Sequence, residues 1–293
     1  MRPEDYPALY VECNTSAESN QRRHFQILQA EIVLLISIAI FGDIKWSSFP
    51  SLGILPPLAI AVSLSVLFVF TVILESKKLE KNWFNSRAVA EMVKRESWLY
   101  IMNTKPYNQQ KDQKAKAKFK EFLKQIVESK TLPWKELTQA VQGAQITETM
   151  EEKRNASFDE QKVFYIASRI NDQRSWYTKK AKMHRARESR LTMLMWILLA
   201  LGVTLAFVNI ILTDLPVSAV GMATTASGAV LSWIGAKNYG ELSQSYSMVA
   251  HQLSFIEDDA KQARTDNQLK NIVSDAEETI GQEHRIWKIK RLP

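Results

Sequence analysis

From Leu52 to Leu74 the chain runs 23 residues without a charged side chain, and a helix needs about 20 to cross the hydrocarbon core of a bilayer. Two more uncharged runs of 22 residues, Leu191 to Leu212 and Leu215 to Ala236, are separated only by Thr213 and Asp214. They read as a tight helical hairpin turned at Thr213-Asp214-Leu215-Pro216. A shorter apolar stretch, Ile32 to Trp46, has eleven uncharged residues before Asp43 and Lys45. It reads either as a re-entrant or interfacial helix or as the partner that Leu52–Leu74 needs, with Glu31 and Lys45 snorkelling to the two interfaces. We expect the second: four spans in two hairpins.

The average composition, 46% hydrophobic and 24% charged, hides this segregation of apolar blocks from the charge between them. The one cysteine, Cys13, excludes an internal disulfide and a zinc site of paired thiolates. His24, His184, His251 and His284 are scattered without metal-ligand spacing, so no metal or other cofactor is expected. A net charge of +7 can signal nucleic acid, but these basic residues flank the apolar runs, where anionic lipid head groups are the expected partner. No Gly-rich phosphate loop and no nucleophile-base pairing occurs, which argues against an enzyme.

Lys and Arg number three before the first span, 26 between Glu75 and Arg190, none between spans three and four, and eight from Lys237 onward. The positive-inside rule then places both termini and the central region in the cytoplasm of a multi-pass inner-membrane protein. The polar, acidic first thirty residues are unlike a cleaved signal peptide. The expected fold is all-α: two transmembrane hairpins with long amphipathic cytoplasmic helices. Residues 1–29 form an N-terminal helix, 30–75 the first hairpin, 76–141 cytoplasmic helices and 142–156 a loop. A helix over 157–190 continues into the second hairpin, 191–236, and 237–293 close the chain with further helices. Between the hairpins, Phe119, Phe122, Leu123, Ile126 and Val127 give Asp112–Lys130 a single apolar face. Ser157-Phe-Asp-Glu160 has the form of a capping box, and from there to Leu212 no Pro occurs. Polar helix, hairpin and polar helix thus occur twice, with Asn238-Tyr239 standing where the first copy has Asn82-Trp83.

The stretch after the first hairpin, W-F-N-S-R-A-V-A-E-M-V-K-R-E-S-W-L-Y, places Trp83, Arg87, Glu91 and Trp98 on one helical face, with Tyr100 closing it. Arg87 and Glu91, four apart, can pair. Without His or Cys the stretch is no active site; it reads as an inter-helix packing seam or as a docking surface. The fuller string from Leu79 to Tyr107 resembles the post-hairpin signature of the SLATT superfamily, the SMODS- and SLOG-associating two-transmembrane proteins. Y-I-A-S-R-I-N-D-Q-R-S-W-Y-T-K-K-A, Tyr165 to Ala181, is similar to the helix that enters a hairpin there, with Arg169, Gln173, Trp176 and Tyr177 as the matching positions. The resemblance covers most of the chain as two fused copies. It implies an inner-membrane effector of a prokaryotic nucleotide-triggered defence system, a homo-oligomer that forms pores or disrupts the bilayer downstream of a nucleotide-signalling or sensor protein.

For a pore, the fourth span offers Gly221, Thr225, Gly228 and Ser232 with Gly235 beyond, a small-residue stripe that suits either close packing or, with Thr224, a wet lining. Asn209 is the polar group inside span three. No Asp, Glu, Lys or Arg lies in mid-span, which argues against an ion-coupled transporter. The competing reading is a membrane-anchored scaffold or sensor whose cytoplasmic helices recruit partners.

Overall fold

The computed structural model describes residues 1–46, 49–108, 112–129, 143–213, 215 and 217–291, with residues 50 and 282–291 described by backbone alone. Among them there is no strand: this is an all-α membrane protein. The first half comprises α1 (Ala8–Asp43), α2 (Leu55–Lys77), α3 (Leu79–Ile101) and α4 (Asp112–Glu128). The second comprises α5 (Glu148–Arg154), α6 (Phe158–Tyr165), a π-helical turn (Ile166–Asn171), α7 (Asp172–Ile211), α8 (Val220–Lys237), α9 (Tyr239–Gln262) and α10 (Asp266–Arg291). Asp214 and Pro216 of the expected turn, and the side chain of Trp287, lie outside the described residues.

Three helical stretches, Ala8–Asp43, Leu55–Ile101 and Phe158–Ile211, are long and apolar enough to cross a membrane. The stretch expected as a fourth span is not one of them. Its helix, α8, has 18 residues, about 27 Å at ~1.5 Å per residue, and Gly, Ser and Thr dilute its apolar character. The most apolar windows of the three are 6%, 0% and 6% buried within the chain. Phe68, Trp196, Phe207 and Ile211 therefore stand exposed, a surface that a water-soluble monomer would not carry.

Several boundaries differ from the sequence reading for local reasons. The N-terminal helix and first apolar stretch are one 36-residue helix. The loop expected at 142–156 contains α5, whose N-cap Thr147 accepts a hydrogen bond from the Met150 amide. Acidic residues in its first turn and basic ones in its last suit the helix dipole, yet a seven-residue helix is too short to show periodicity. Between α2 and α3 a single residue, Lys78, takes the left-handed conformation (φ 48°), and between α8 and α9 Asn238 does the same (φ 49°). This makes Asn238 the counterpart of Lys78 rather than of Asn82, which lies a turn inside α3. The capping box at Ser157 and Glu160 is formed in both directions.

The chain divides into two compact units. One is polar, made of Met1–Gln21, Glu80–Ala181 and Gln244–Pro293. Its core packs Leu9, Val93, Trp98, Phe119, Ile170 and Val273 together, and a smaller cluster gathers Tyr177, Val249, Leu253 and Ile280. α4 contributes Phe119, Leu123 and Ile126 to the burial, as its apolar face implied, while Val127 is exposed.

The other unit, Arg22–Leu79 and Lys182–Ser243, holds the apolar helices. Within it the ends of α1 and α8 interlock. The Asp43 carboxylate accepts the Met222 amide at 2.7 Å, capping the first turn of α8. The Ser218 amide donates to the Asp43 carbonyl at 3.1 Å, and Lys45 Nζ donates to the Thr213 carbonyl just beyond α7 at 2.9 Å. Farther along the same helices, Lys237 Nζ lies 3.1 Å from the centre of the Phe25 ring and 4.9 Å from that of Trp233.

Candidate functional site

The positions singled out on α3 fall into three clusters. In the first, Arg87 Nη2 pairs with Glu91 at 2.6 Å, and its Nη1 donates to Asn14 Oδ1 on α1 at 2.9 Å. The half-exposed ion pair alone is worth about 0.3–0.5 kcal/mol, so the reach to Asn14 is what gives Arg87 a tertiary role. The Ser16 and Ser86 hydroxyls meet alongside at 3.3 Å. Trp83 is buried and stacks on Phe84, with ring centres 4.5 Å apart.

The second cluster surrounds Trp98. Its indole N–H donates to the Tyr6 hydroxyl at 3.0 Å, and the rings of Phe164 and Tyr165 lie 5.4 and 5.5 Å from it. The Arg169 guanidinium lies over the same indole at 5.7 Å. Arg169 is 1% exposed and Glu277, on α10, is 0% exposed. They form a two-pronged pair, Nε to Oε1 at 2.7 Å and Nη2 to Oε2 at 2.6 Å, and the Tyr165 hydroxyl donates to the same carboxylate at 3.0 Å. Burial works against the Arg169 charge, but the Glu277 carboxylate more than offsets it, so the guanidinium titrates above its ordinary range. Burial pushes the Tyr165 hydroxyl well up, and Glu277 adds to the effect. Arg169 Nη1 has no hydrogen-bond partner among the described residues.

Tyr100, at the end of α3, belongs to a third node that the sequence reading did not anticipate. The Arg154 guanidinium stacks over its ring at 4.4 Å. Arg154 also donates through Nη1 to the Tyr100 carbonyl and through Nη2 to the Tyr107 carbonyl at 3.0 Å. Its Nε pairs with Asp112 at 3.0 Å. Glu277 was likewise missed. Neither residue stands out by spacing, because each meets its partners across tens to more than a hundred residues of chain.

The remaining seam positions separate. Tyr177 is buried against Tyr246, with ring centres 5.5 Å apart, while Trp176 is partly exposed and flanks the same Tyr246 at 5.4 Å. The Gln173 amide donates to its neighbour Asp172 at 3.1 Å.

In the apolar helices, Asn209 donates to the Leu205 and Ser218 carbonyls, both at 2.9 Å, joining α7 to the segment that leads into α8. Gly221 is a true close approach: a Cβ there would lie 2.6 Å from Asp43 Oδ1. Among the described residues nothing lies within 4 Å of such a Cβ on Gly228 or Gly235, and Ser232 is exposed. The side of α8 buried within the chain is instead Ala223, Ser227 and Ala229, with Thr224 and Ala223 at 3.5 and 3.6 Å from a Cβ built on Gly202 of α7. Thr224 spends its hydroxyl on the carbonyls of Val220 and Gly221 at 3.0 and 3.2 Å, and Thr225 is half-buried. The small-residue stripe is thus divided, Gly221 serving the α1 contact while Gly228, Ser232 and Gly235 face outward from the chain.

Chemically, the three clusters on α3 tie helices together through paired charges and aromatic rings. Cys13 is fully buried, and burial, with Glu12 adding, pushes its thiol up to about 12.

Two family models match in tandem. SMODS and SLOG-associating 2TM effector domain 3 matches residues 7–162, and SMODS and SLOG-associating 2TM effector domain 1 matches residues 165–287. No curated protein and no solved structure matches the chain.

Proposed function

Because the chain belongs to the SLATT superfamily, with two of its effector domains in tandem, we propose that it is a non-enzymatic effector of a nucleotide-triggered prokaryotic defence system. It assembles into homo-oligomers and permeabilises the inner membrane when an upstream nucleotide-signalling or sensor protein is activated. The observation that carries this reading, beyond the family, is the near-complete exposure of the apolar helices. Their large side chains must be covered by lipid or by other copies of the chain. α8 turns Gly228, Ser232 and Gly235 outward, which supports a role for that helix in packing against a neighbouring copy or lining a path.

In this reading α8 completes the second hairpin as a fourth span, and both termini and the polar unit lie in the cytoplasm, in keeping with the Lys and Arg distribution. The Trp98 and Arg169 cluster joins the second domain's entering helix to the end of α3, which supports a role for it in passing on a cytoplasmic signal.

The test is release of a self-quenched dye from liposomes carrying the purified full-length chain, together with growth and ion leakage on expression. We expect release and growth arrest. Intact vesicles and normal growth under all conditions, with a monomer in nanodiscs, would overturn the proposal.

A further inference from the structure

The helix from Phe158 to Ile211 is regular except at Ile166–Asn171, where it widens into a π turn. Such a turn stores one residue more than α geometry needs, and it is found mostly at sites under a functional constraint. The buried positions reveal what the extra residue does. Upstream, Gln161 and Tyr165 are buried; within the turn, Arg169 and Ile170; downstream, Tyr177 and Ala181. The upstream and downstream pairs each have the four-residue spacing of one face of an α-helix. At about 100° per residue an unbroken helix would turn Tyr177 about 120° away from Tyr165, and Ile170 about 140° away. The two faces are out of phase by one residue. Once the turn absorbs that residue, the offset between the two tyrosines falls to about 20°, and both are buried in the same unit.

Arg169 sits inside the turn. It is held from outside the helix by Glu277 through two hydrogen bonds and by the face of Trp98, while Glu277 also takes the hydroxyl of Tyr165, the last residue before the turn. One carboxylate therefore grips both the turn and the helix leading into it.

We infer that the π turn is a register switch. Pinned by Arg169 to Glu277, it stores one residue; released, it anneals to α-helix and advances everything downstream by one position, about 100° of rotation and ~1.5 Å of travel. The downstream helix carries the apolar run 191–212, so the same step changes which of its side chains meet a neighbour. The pinned register is visible just before that run. The His184 ring lies 5.5 Å from that of Tyr239, and Glu188 Oε1 lies 2.5 Å from the place a Cβ on Gly240 would take. Both side chains therefore face the start of α9. After annealing, Met183 and Arg187 occupy those two places.

The test is maleimide labelling of the full-length chain in nanodiscs, with single cysteines at 183, 184, 187 and 188 in a Cys13→Ser background. In the pinned protein 184 and 188 are protected and 187 labels quickly. Glu277→Gln is expected to move protection to 183 and 187. Deleting Ala167 removes the stored residue, so it should leave 184 and 188 protected, in the original numbering, with or without Glu277→Gln. A folded Glu277→Gln protein that keeps protection at 184 and 188 would sink the proposal, and so would a deletion that exposes them. If Glu277→Gln does not fold, the deletion alone decides. None of these readings depends on leakage, so failure of the switch and failure of the pore are separate results.

Discussion

Arg154→Met is the substitution whose cost the structure defines best. The guanidinium is buried, and it serves the Tyr100 and Tyr107 carbonyls, Asp112 and the Tyr100 ring at once. Each hydrogen bond from a charged donor to a buried acceptor is worth about 1.5–3 kcal/mol, and a desolvated cation–π contact about 2 kcal/mol. The Asp112 pair adds only about 0–1 kcal/mol, because that carboxylate is 44% exposed. Adding these overcounts, since one planar group makes them all and methionine refills the apolar volume. A net loss of about 3–4 kcal/mol is expected, which lowers the melting temperature by about 6–16 °C at about 2–4 °C per kcal/mol. Near-UV circular dichroism of the full-length protein in nanodiscs reads it. Arg154→Lys should recover only part, about half, because an ammonium cannot stack on the ring and reach both carbonyls. A methionine variant melting within about 2 °C of the parent, or a lysine variant equal to it, would refute the reasoning. The same node has a pH signature. Burial raises the Asp112 carboxyl, but hydrogen bonds from Arg154 and then Lys116 outweigh this and hold it below the usual carboxylate range. A depressed folded pKa gives stability that is present above about pH 4 and lost as pH falls through the folded value. The melting difference between the parent and Asp112→Asn should therefore shrink as pH is lowered from about 5 to about 3.

Gly221→Ala should destabilise by about 1–3 kcal/mol, because its methyl would meet the Asp43 carboxylate at 2.6 Å, and Asp43→Ala in the same chain should remove most of the clash penalty in a melting series. Gly228→Ala, whose added methyl meets no described residue within 4 Å, should hold or slightly raise the melting temperature of the isolated chain, through up to about 1 kcal/mol of helix propensity, so any loss of oligomer on size-exclusion chromatography would report on a neighbour. Cys13 should resist iodoacetamide at pH 8 in the folded protein and react once denaturant is added, as its burial and thiol pushed up to about 12 require. Arg87→Ala should cost under about 1 kcal/mol; leakage retained at normal expression would leave its bond to Asn14 a structural tie and remove it from signal transmission.

The apolar runs and the capping box at Ser157 were legible because hydropathy and capping are local properties, decided within a turn or a span. The break at Lys78 was not, since lysine carries no mark of a left-handed residue, whereas Asn238 at the matching place is a residue type that tolerates it. The π turn left a faint trace: Tyr165 and Tyr177 are both aromatic yet twelve positions apart, off any single α face. Glu277 and Arg154 were invisible for a different reason. A charge destined for burial looks like any surface charge until its partner is known, and the partner of Glu277 lies 108 residues earlier. The contact of Gly221 with Asp43 was not legible, because the carboxylate it makes room for sits on α1, far away in the sequence.

The core of the polar unit takes Leu9, Val93, Trp98 and Phe119 from the stretch matched by one effector domain and Tyr165, Ile170, Leu269 and Val273 from the stretch matched by the other. The homology boundary near residue 163 is therefore not a folding boundary. A cut there would take from each fragment part of the interior on which its polar helices close, and the contacts of α1 with α8. The fusion holds two unequal halves in fixed one-to-one proportion around one shared interior.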